Sequence, residues 1–241
     1  MRPYLATPIF RWIFVGFLFG SFYSCKPDIQ PEQLLLKSVN YHGGLEAMEA
    51  LEQLSFSKKT MSYDSLGALT SELHQHFLYD FETGQRGVKW EEGAHLWALS
   101  QYKDQWSFQK NGDSLPLSAE QKDSYESLLN GGLYVYWQPY KLYKDSSHKT
   151  YTGVVNLQGK MAHVLEIRYE NSEDIWQYYF EIDTYRLLAN RVLHSGKYSL
   201  ITNDKIESAS GFSLPTHRTS YRVTSQNEIL WEQASYVYEM D

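Results

Sequence analysis

Apolar and polar positions alternate along most of the chain, and only a few segments break that period. In residues 175–183, Trp176, Tyr178, Phe180 and Ile182 share one side while Gln177, Glu181 and Asp183 take the other. One face of a strand is therefore buried and the other wet. The same period of two recurs at 54–63, 73–81, 86–91, 95–101, 106–109, 152–157, 160–169, 187–193, 198–208, 215–224 and 229–240. About a dozen strands are predicted from this pattern. Turn sequences such as Asn111-Gly112-Asp113, Gln158-Gly159-Lys160 and Ser195-Gly196-Lys197 separate them, and connections this short make neighbouring strands antiparallel.

In two places the period lengthens to that of a helix. Over 32–41, Leu34, Leu35, Leu36 and Val39 are set at helical spacing, with Lys37 and Asn40 facing away. Gly43 and Gly44 then stop the helix, and His42, Gly43 and Gly44 are expected to form a structural turn. Beyond it, Leu45, Met48 and Leu51 oppose Glu46, Glu49 and Glu52, giving a second short helix. Farther on, Ser118 caps a helix whose Leu128 and Leu129 point inward, Gly131-Gly132 are expected to end it, and the aromatic piece Tyr134-Val135-Tyr136-Trp137 follows. The predicted class is mainly β with helices (α+β): a strongly curved antiparallel sheet forming an incomplete barrel, with the helices on its concave side. No long Pro/Ser-rich linker interrupts 32–241, so one domain is expected.

The first residues change the picture. Residues 1–24 carry Arg2 and Arg11 but no acid, and from Trp12 the run WIFVGFLFGSF is apolar or small. That is shorter than the ~18 apolar residues of a spanning helix and suits the ~7–15 of a secretory signal. Cys25, the only cysteine in the chain, follows directly after Ser24. An unpaired cysteine in an exported chain calls for a reason. The segment resembles a bacterial lipoprotein signal peptide, and the resemblance implies that the thiol of Cys25 is acylated and the chain is cut just before it. Residues 1–24 are then the signal, 25–31, with Pro27 and Pro31, a short tether, and 32–241 the body. The expected place is the bacterial envelope, on a lipid anchor and at the outer membrane, with the periplasmic or surface side left open. The alternative is a buried thiol after an uncleaved anchor.

Loss of Arg2 and Arg11 would leave 20 Lys+Arg against 29 Asp+Glu. An acidic body without a basic stripe does not suit nucleic acid, whose phosphates need clustered Lys and Arg. Candidate chemistry is sparse. His74 and His76 share a strand face with Glu72, a spacing able to chelate a metal, but zinc wants three or four supported ligands, and a solvent-facing strand surface explains them. Gly112-Asp113-Ser114-Leu115-Pro116 and Gly211-Phe212-Ser213-Leu214-Pro215 lack the second glycine of a nucleophile elbow and suit turns entering a new segment. His42 beside two glycines can bind an anion or simply close a helix. The carboxylate pairs Glu91-Glu92 and Glu173-Asp174 are expected in solvated loops. No catalytic residue, metal or cofactor is expected.

The opening Tyr41-His42-Gly43-Gly44-Leu45 with Leu54 resembles the start of the LolA/LolB-like superfamily of lipoprotein carriers and receptors. Trp137-Gln138-Pro139-Tyr140-Lys141-Leu142, Gly159-Lys160 and Tyr179-Phe180-Glu181-Ile182-Asp183 with Leu187-Leu188 follow in the order of uncharacterised lipoproteins similar to it. What the resemblance implies is a half-barrel with a hydrophobic cavity under a helical lid. Aromatic residues are 16% of the chain; they fill large cores and equally line cavities for acyl chains. Trp90, Trp97, Trp106, Tyr169, Trp176, Tyr178 and Phe180 lie on the apolar sides of their strands and are expected to bind a lipid or acyl chain. The other readings are an adaptor lipoprotein with a filled cavity that meets an envelope protein through its acidic surface, and, last, a hydrolase.

Overall fold

Thirteen strands join into one antiparallel sheet, in a computed structural model that describes residues 29–209 and 211–240. The predicted signal, Cys25 and most of the tether lie outside the described residues. The chain starts with α1 (Pro31–Tyr41) and α2 (Leu45–Glu49). Six strands follow: β1 (Gln53–Tyr63), β2 (Leu69–Asp80), β3 (Arg86–Glu92), β4 (His95–Tyr102), β5 (Gln105–Lys110) and β6 (Asp113–Ser114). α3 (Ala119–Tyr136) and α4 (Gln138–Lys144) then lead to β7 (His148–Leu157). The last six strands are β8 (Lys160–Arg168), β9 (Ile175–Glu181), β10 (Leu187–His194), β11 (Lys197–Ala209), β12 (Phe212–Val223) and β13 (Ile229–Met240).

The sheet order is β6-β5-β4-β3-β2-β1-β13-β12-β11-β10-β9-β8-β7. Every neighbouring pair is a hairpin except β1 with β13, which brings the first and last strands together from Phe56↔Met240 to Ser62↔Ala234. The sheet curves strongly without closing, so β6 and β7 are its free edges. The connection from β6 to β7, made of α3 and α4, runs from one edge to the other. The strand missed by periodicity is β6, two residues in the Gly112–Pro116 turn, too short to show alternation.

Over β1 to β5, cross-strand register puts the large apolar residues on the concave face, because directly opposed residues point the same way. Leu54 faces Tyr79, Phe56 faces Phe77, and the row Phe77–Val88–Leu99–Phe108 continues across β2 to β5. α3 packs on that row: the Tyr79 hydroxyl donates to the Leu129 carbonyl at 2.7 Å. Arg86 fastens the helix to the sheet, donating from Nε to Gln101 at 2.6 Å, from one terminal nitrogen to Asn130 at 2.6 Å and from the other to Glu126.

The N-terminus of α3 has the expected cap. Ser118 Oγ accepts from the Gln121 N–H, and the Gln121 side chain answers to the Ser118 N–H. Its end differs from the expectation: the helix continues through Gly131 and Gly132 to Tyr136. A Cβ on Gly132 would lie 2.8 Å from both Phe77 Cε1 and the Tyr79 hydroxyl. Gly132 therefore serves close approach of helix and sheet rather than termination. A second cluster lies under α1 and α4, where Leu34, Leu35, Leu142, Leu165, Ile167, Phe180 and Leu187 are buried together.

Candidate functional site

α3 borders two cavities on the concave side. Its first half, through Gln121 and Tyr125, walls a shallow depression of about 410 Å³ with Trp90, Trp97, Phe108, Leu115 and Pro116. Its second half, through Asn130, Gly131 and Tyr134, walls a half-open cavity of about 400 Å³. Strands β9 to β12 form the far side of the second cavity with Trp176, Tyr178, Asn190, Ile201 and Arg218, and Tyr169 and Gln138 complete it. Both volumes fall within the ~300–1,000 Å³ of small-molecule pockets.

In the second cavity, tyrosine hydroxyls satisfy one another. Tyr134 OH is 2.9 Å from Tyr169 OH and 3.3 Å from Tyr178 OH, and Tyr169 donates to Asp145 Oδ2 at 3.2 Å. Each hydroxyl has one proton. With the Tyr169 proton on Asp145, Tyr134 donates to Tyr169, and Tyr178 donates to Tyr134. Burial raises the pKa of all three, that of Tyr169 to about 12, so they stay neutral. Their rings, with Trp176 stacked 6.3 Å from Tyr178, present an apolar wall whose polar atoms are already paired.

The floor is different. Arg218 is 2% exposed, and one of its terminal nitrogens donates to Gln138 Oε1 at 3.3 Å and Asn190 Oδ1 at 3.0 Å. Gln138 and Asn190 are themselves 4% and 1% exposed, and Gln138 Nε2 donates to Asn190 at 3.4 Å. A deeply buried guanidinium held by two neutral amides thus lies under an aromatic wall.

The seven aromatic residues expected to bind ligand share the concave face but separate along it. Tyr169, Trp176 and Tyr178 meet in the second cavity. Trp90 and Trp97 stack at 6.0 Å in the first. Trp106 packs half-buried against the core near them. Phe180 is fully buried beneath α1 and α4 and borders neither cavity. Sequence reasoning missed Tyr134, Gln138, Asn190 and Arg218. The alternation of β12 held a signal for one of them, since Arg218 sits between Thr216 and Ser220 on an inward face where a charge needs a reason.

The His42 turn is structural. The His42 ring is 2% exposed; Nδ1 bonds the Ser213 carbonyl and Nε2 accepts from the Leu187 N–H at 3.3 Å. Burial, with Arg186 nearby, lowers its pKa to about 4, so a neutral imidazole ties the α1 end to β10 and β12 and has no nitrogen left for an anion. Gly43 and Gly44 have φ of +133° and +92°, a region that favours glycine. His74 lies on the wet face of β2, where its Nε2 meets Glu72 at 2.9 Å and Glu72 also meets Lys59 at 3.0 Å. Ser213 is the second residue of β12, and its hydroxyl pairs with that of Ser208 at 3.0 Å. Asp174 pairs with His194 at 2.7 Å.

A strongly curved open sheet with helices across its hollow is also the fold of known proteins. The structure is similar to the crystal structure of a LolA superfamily protein from Nitrosomonas europaea, with a TM-score of 0.52 and 11% identity, over 88% of this chain and 92% of that one. This chain has the LolA-like fold. The same score, identity and coverages relate it to a DUF1329 family protein from Desulfovibrio piger. No protein-family model matches the sequence, and no curated protein matches it. At 11% identity the likeness is one of fold alone.

Proposed function

We propose that the protein is a non-enzymatic lipoprotein of the bacterial envelope, anchored at the outer membrane through Cys25, whose half-barrel holds the acyl chain of a lipid or of another lipoprotein. The observation that carries this is the cavity walled by Tyr134, Tyr169, Trp176 and Tyr178. Its tyrosine hydroxyls are turned to one another, so an apolar guest entering it strands none of their hydrogen bonds. Enclosing a chain there contributes about 25 cal/mol per Å² of apolar surface taken from water, part of which is spent on ordering the guest.

The adaptor reading has support in the other half of the hollow. Phe56, Phe77, Tyr79, Val88, Leu99 and Leu129 fill it with side chains, and the depression beside Trp90 and Trp97 is shallow. In that reading side chains fill the hollow and the acidic outer surface meets an envelope protein.

Native mass spectrometry of the full chain, extracted from its host membrane in mild detergent, tests the proposal. The expected spectrum shows a polypeptide beginning at residue 25 with covalent acyl mass, and on it a further mass that leaves without bond cleavage. A chain that begins at Met1, or one that never carries a dissociable lipid, contradicts the anchor or the cavity respectively.

A further inference from the structure

Arg218 stands out in the cavity because, among the described residues, no carboxylate forms an ion pair with it and its Nε has no hydrogen-bond partner. Asp145, the acid that accepts from the cavity's Tyr169 hydroxyl, lies outside the lining and is engaged by Lys149 Nζ at 3.0 Å. The hydrogen-bond partners of the guanidinium are neutral: Gln138, Asn190 and the Tyr238 hydroxyl.

A second cation stands on the same face. Lys58 lies directly opposite Tyr238, and Tyr236 lies directly opposite Arg218. The Lys58 ammonium is 5.3 Å from the centroid of the Tyr236 ring and likewise forms no ion pair among the described residues. Its pKa is lowered to about 8, by burial first and by Arg218 second. Taking a charge out of water costs several kcal/mol unless another charge and hydrogen bonds compensate. Two neighbouring cations on a concave face, with Arg218 bordering the cavity walled by the tyrosines, leave that compensation to a guest.

We infer that the guest is an anionic amphiphile, whose carboxylate or phosphate is taken by Arg218 at the cavity floor while its acyl chain lies against Tyr134, Tyr169, Trp176 and Tyr178. This rests on the acyl-binding reading and adds the headgroup class to it. A planar guanidinium suits either group, because both present paired oxygens to a fork of N–H donors. Gln138, which hangs from α4, shares its amide oxygen with Arg218, so the headgroup site also touches the helical cover.

The test uses probes with one chain and three heads: laurate, lauryl phosphate and lauryl alcohol, each incubated at equal concentration with the delipidated full chain and read by native mass spectrometry. Charge-assisted hydrogen bonds from a buried Arg give the anions an advantage of about tenfold or more over the alcohol. Arg218→Met keeps an apolar stem and should remove that advantage while alcohol binding persists. Detergent partitioning is the same for both proteins, so their comparison isolates Arg218. A preference between laurate and lauryl phosphate tells a fatty acid from a phospholipid-type head. Equal binding of all three probes to the wild type, or an anion preference that survives Arg218→Met, overturns the inference and leaves the acyl-binding reading standing. Binding of none overturns both. The probe ranking on the wild type alone decides the matter if Arg218→Met does not fold.

Discussion

At the scale of single residues, His42 shows how a turn is held by a group that must stay neutral. Both ring nitrogens are committed, one to the Ser213 carbonyl and one to the Leu187 N–H, and a proton on Nε2 would face that N–H. The unfolded chain takes a proton near 6.5, whereas the folded state takes it only at about 4. Because the folded pKa is depressed, this contribution to stability is complete above pH 6.5 and is lost as pH falls toward 4. Between pH 7 and 5 the loss from this residue is about 2 kcal/mol. Urea unfolding at the two pH values should show a steeper fall for the wild type than for His42→Gln, which cannot titrate; equal falls in the two proteins would contradict the assignment. Gly43 beside it is bound to its place twice, by its φ and by Phe212, whose Cδ1 would lie 2.6 Å from an added Cβ.

At the scale of elements, the two glycine pairs make an instructive contrast. Gly43-Gly44 was legible as a helix stop because a left-handed backbone is a local property. Gly131-Gly132 has the same composition and looks the same locally, yet α3 runs straight through it. The cause is Phe77 and Tyr79, more than fifty residues earlier in the chain, against which Gly132 packs, and no local pattern encodes that contact. The pair is also unequal. Gly131 has nothing within 4 Å of an added Cβ, so Gly131→Ala should raise stability by up to about 1 kcal/mol through helix propensity. Gly132→Ala should lower it by about 1–3 kcal/mol through overpacking. Denaturant midpoints of the two variants check this, and a stabilising Gly132→Ala would show that the helix sits farther from the sheet.

At the scale of the whole molecule, the strands and their hairpins were readable because each turn lies within a few residues of the strands it joins. The pairing of β1 with β13 and the crossing of α3 and α4 from edge to edge were not, since neither leaves a periodic mark. That limits what alternation says about the site. It placed all seven aromatic residues on one face, but the crossing helix decides which of them meet: Trp176 and Tyr178 reach the cavity that holds Arg218, Trp97 reaches a shallow depression elsewhere, and Phe180 is sealed beneath α1 and α4. The buried polar floor of Gln138, Asn190 and Arg218 comes from three elements distant in sequence, and only its charged member stood out in its own strand.

The central claim is that the acyl chain lies in the half of the hollow beside β9 to β12. A fluorescent fatty acid titrated into the full chain measures it directly when wild type is compared with Trp176→Asp and Trp97→Asp, each confirmed as folded by its denaturation midpoint. A carboxylate on the cavity wall forfeits apolar burial and opposes an anionic guest, so Trp176→Asp should weaken binding about tenfold or more. Trp97→Asp, in the other depression, should leave it within about twofold of wild type. Unchanged binding in folded Trp176→Asp, or a loss confined to Trp97→Asp, would contradict this placement of the ligand.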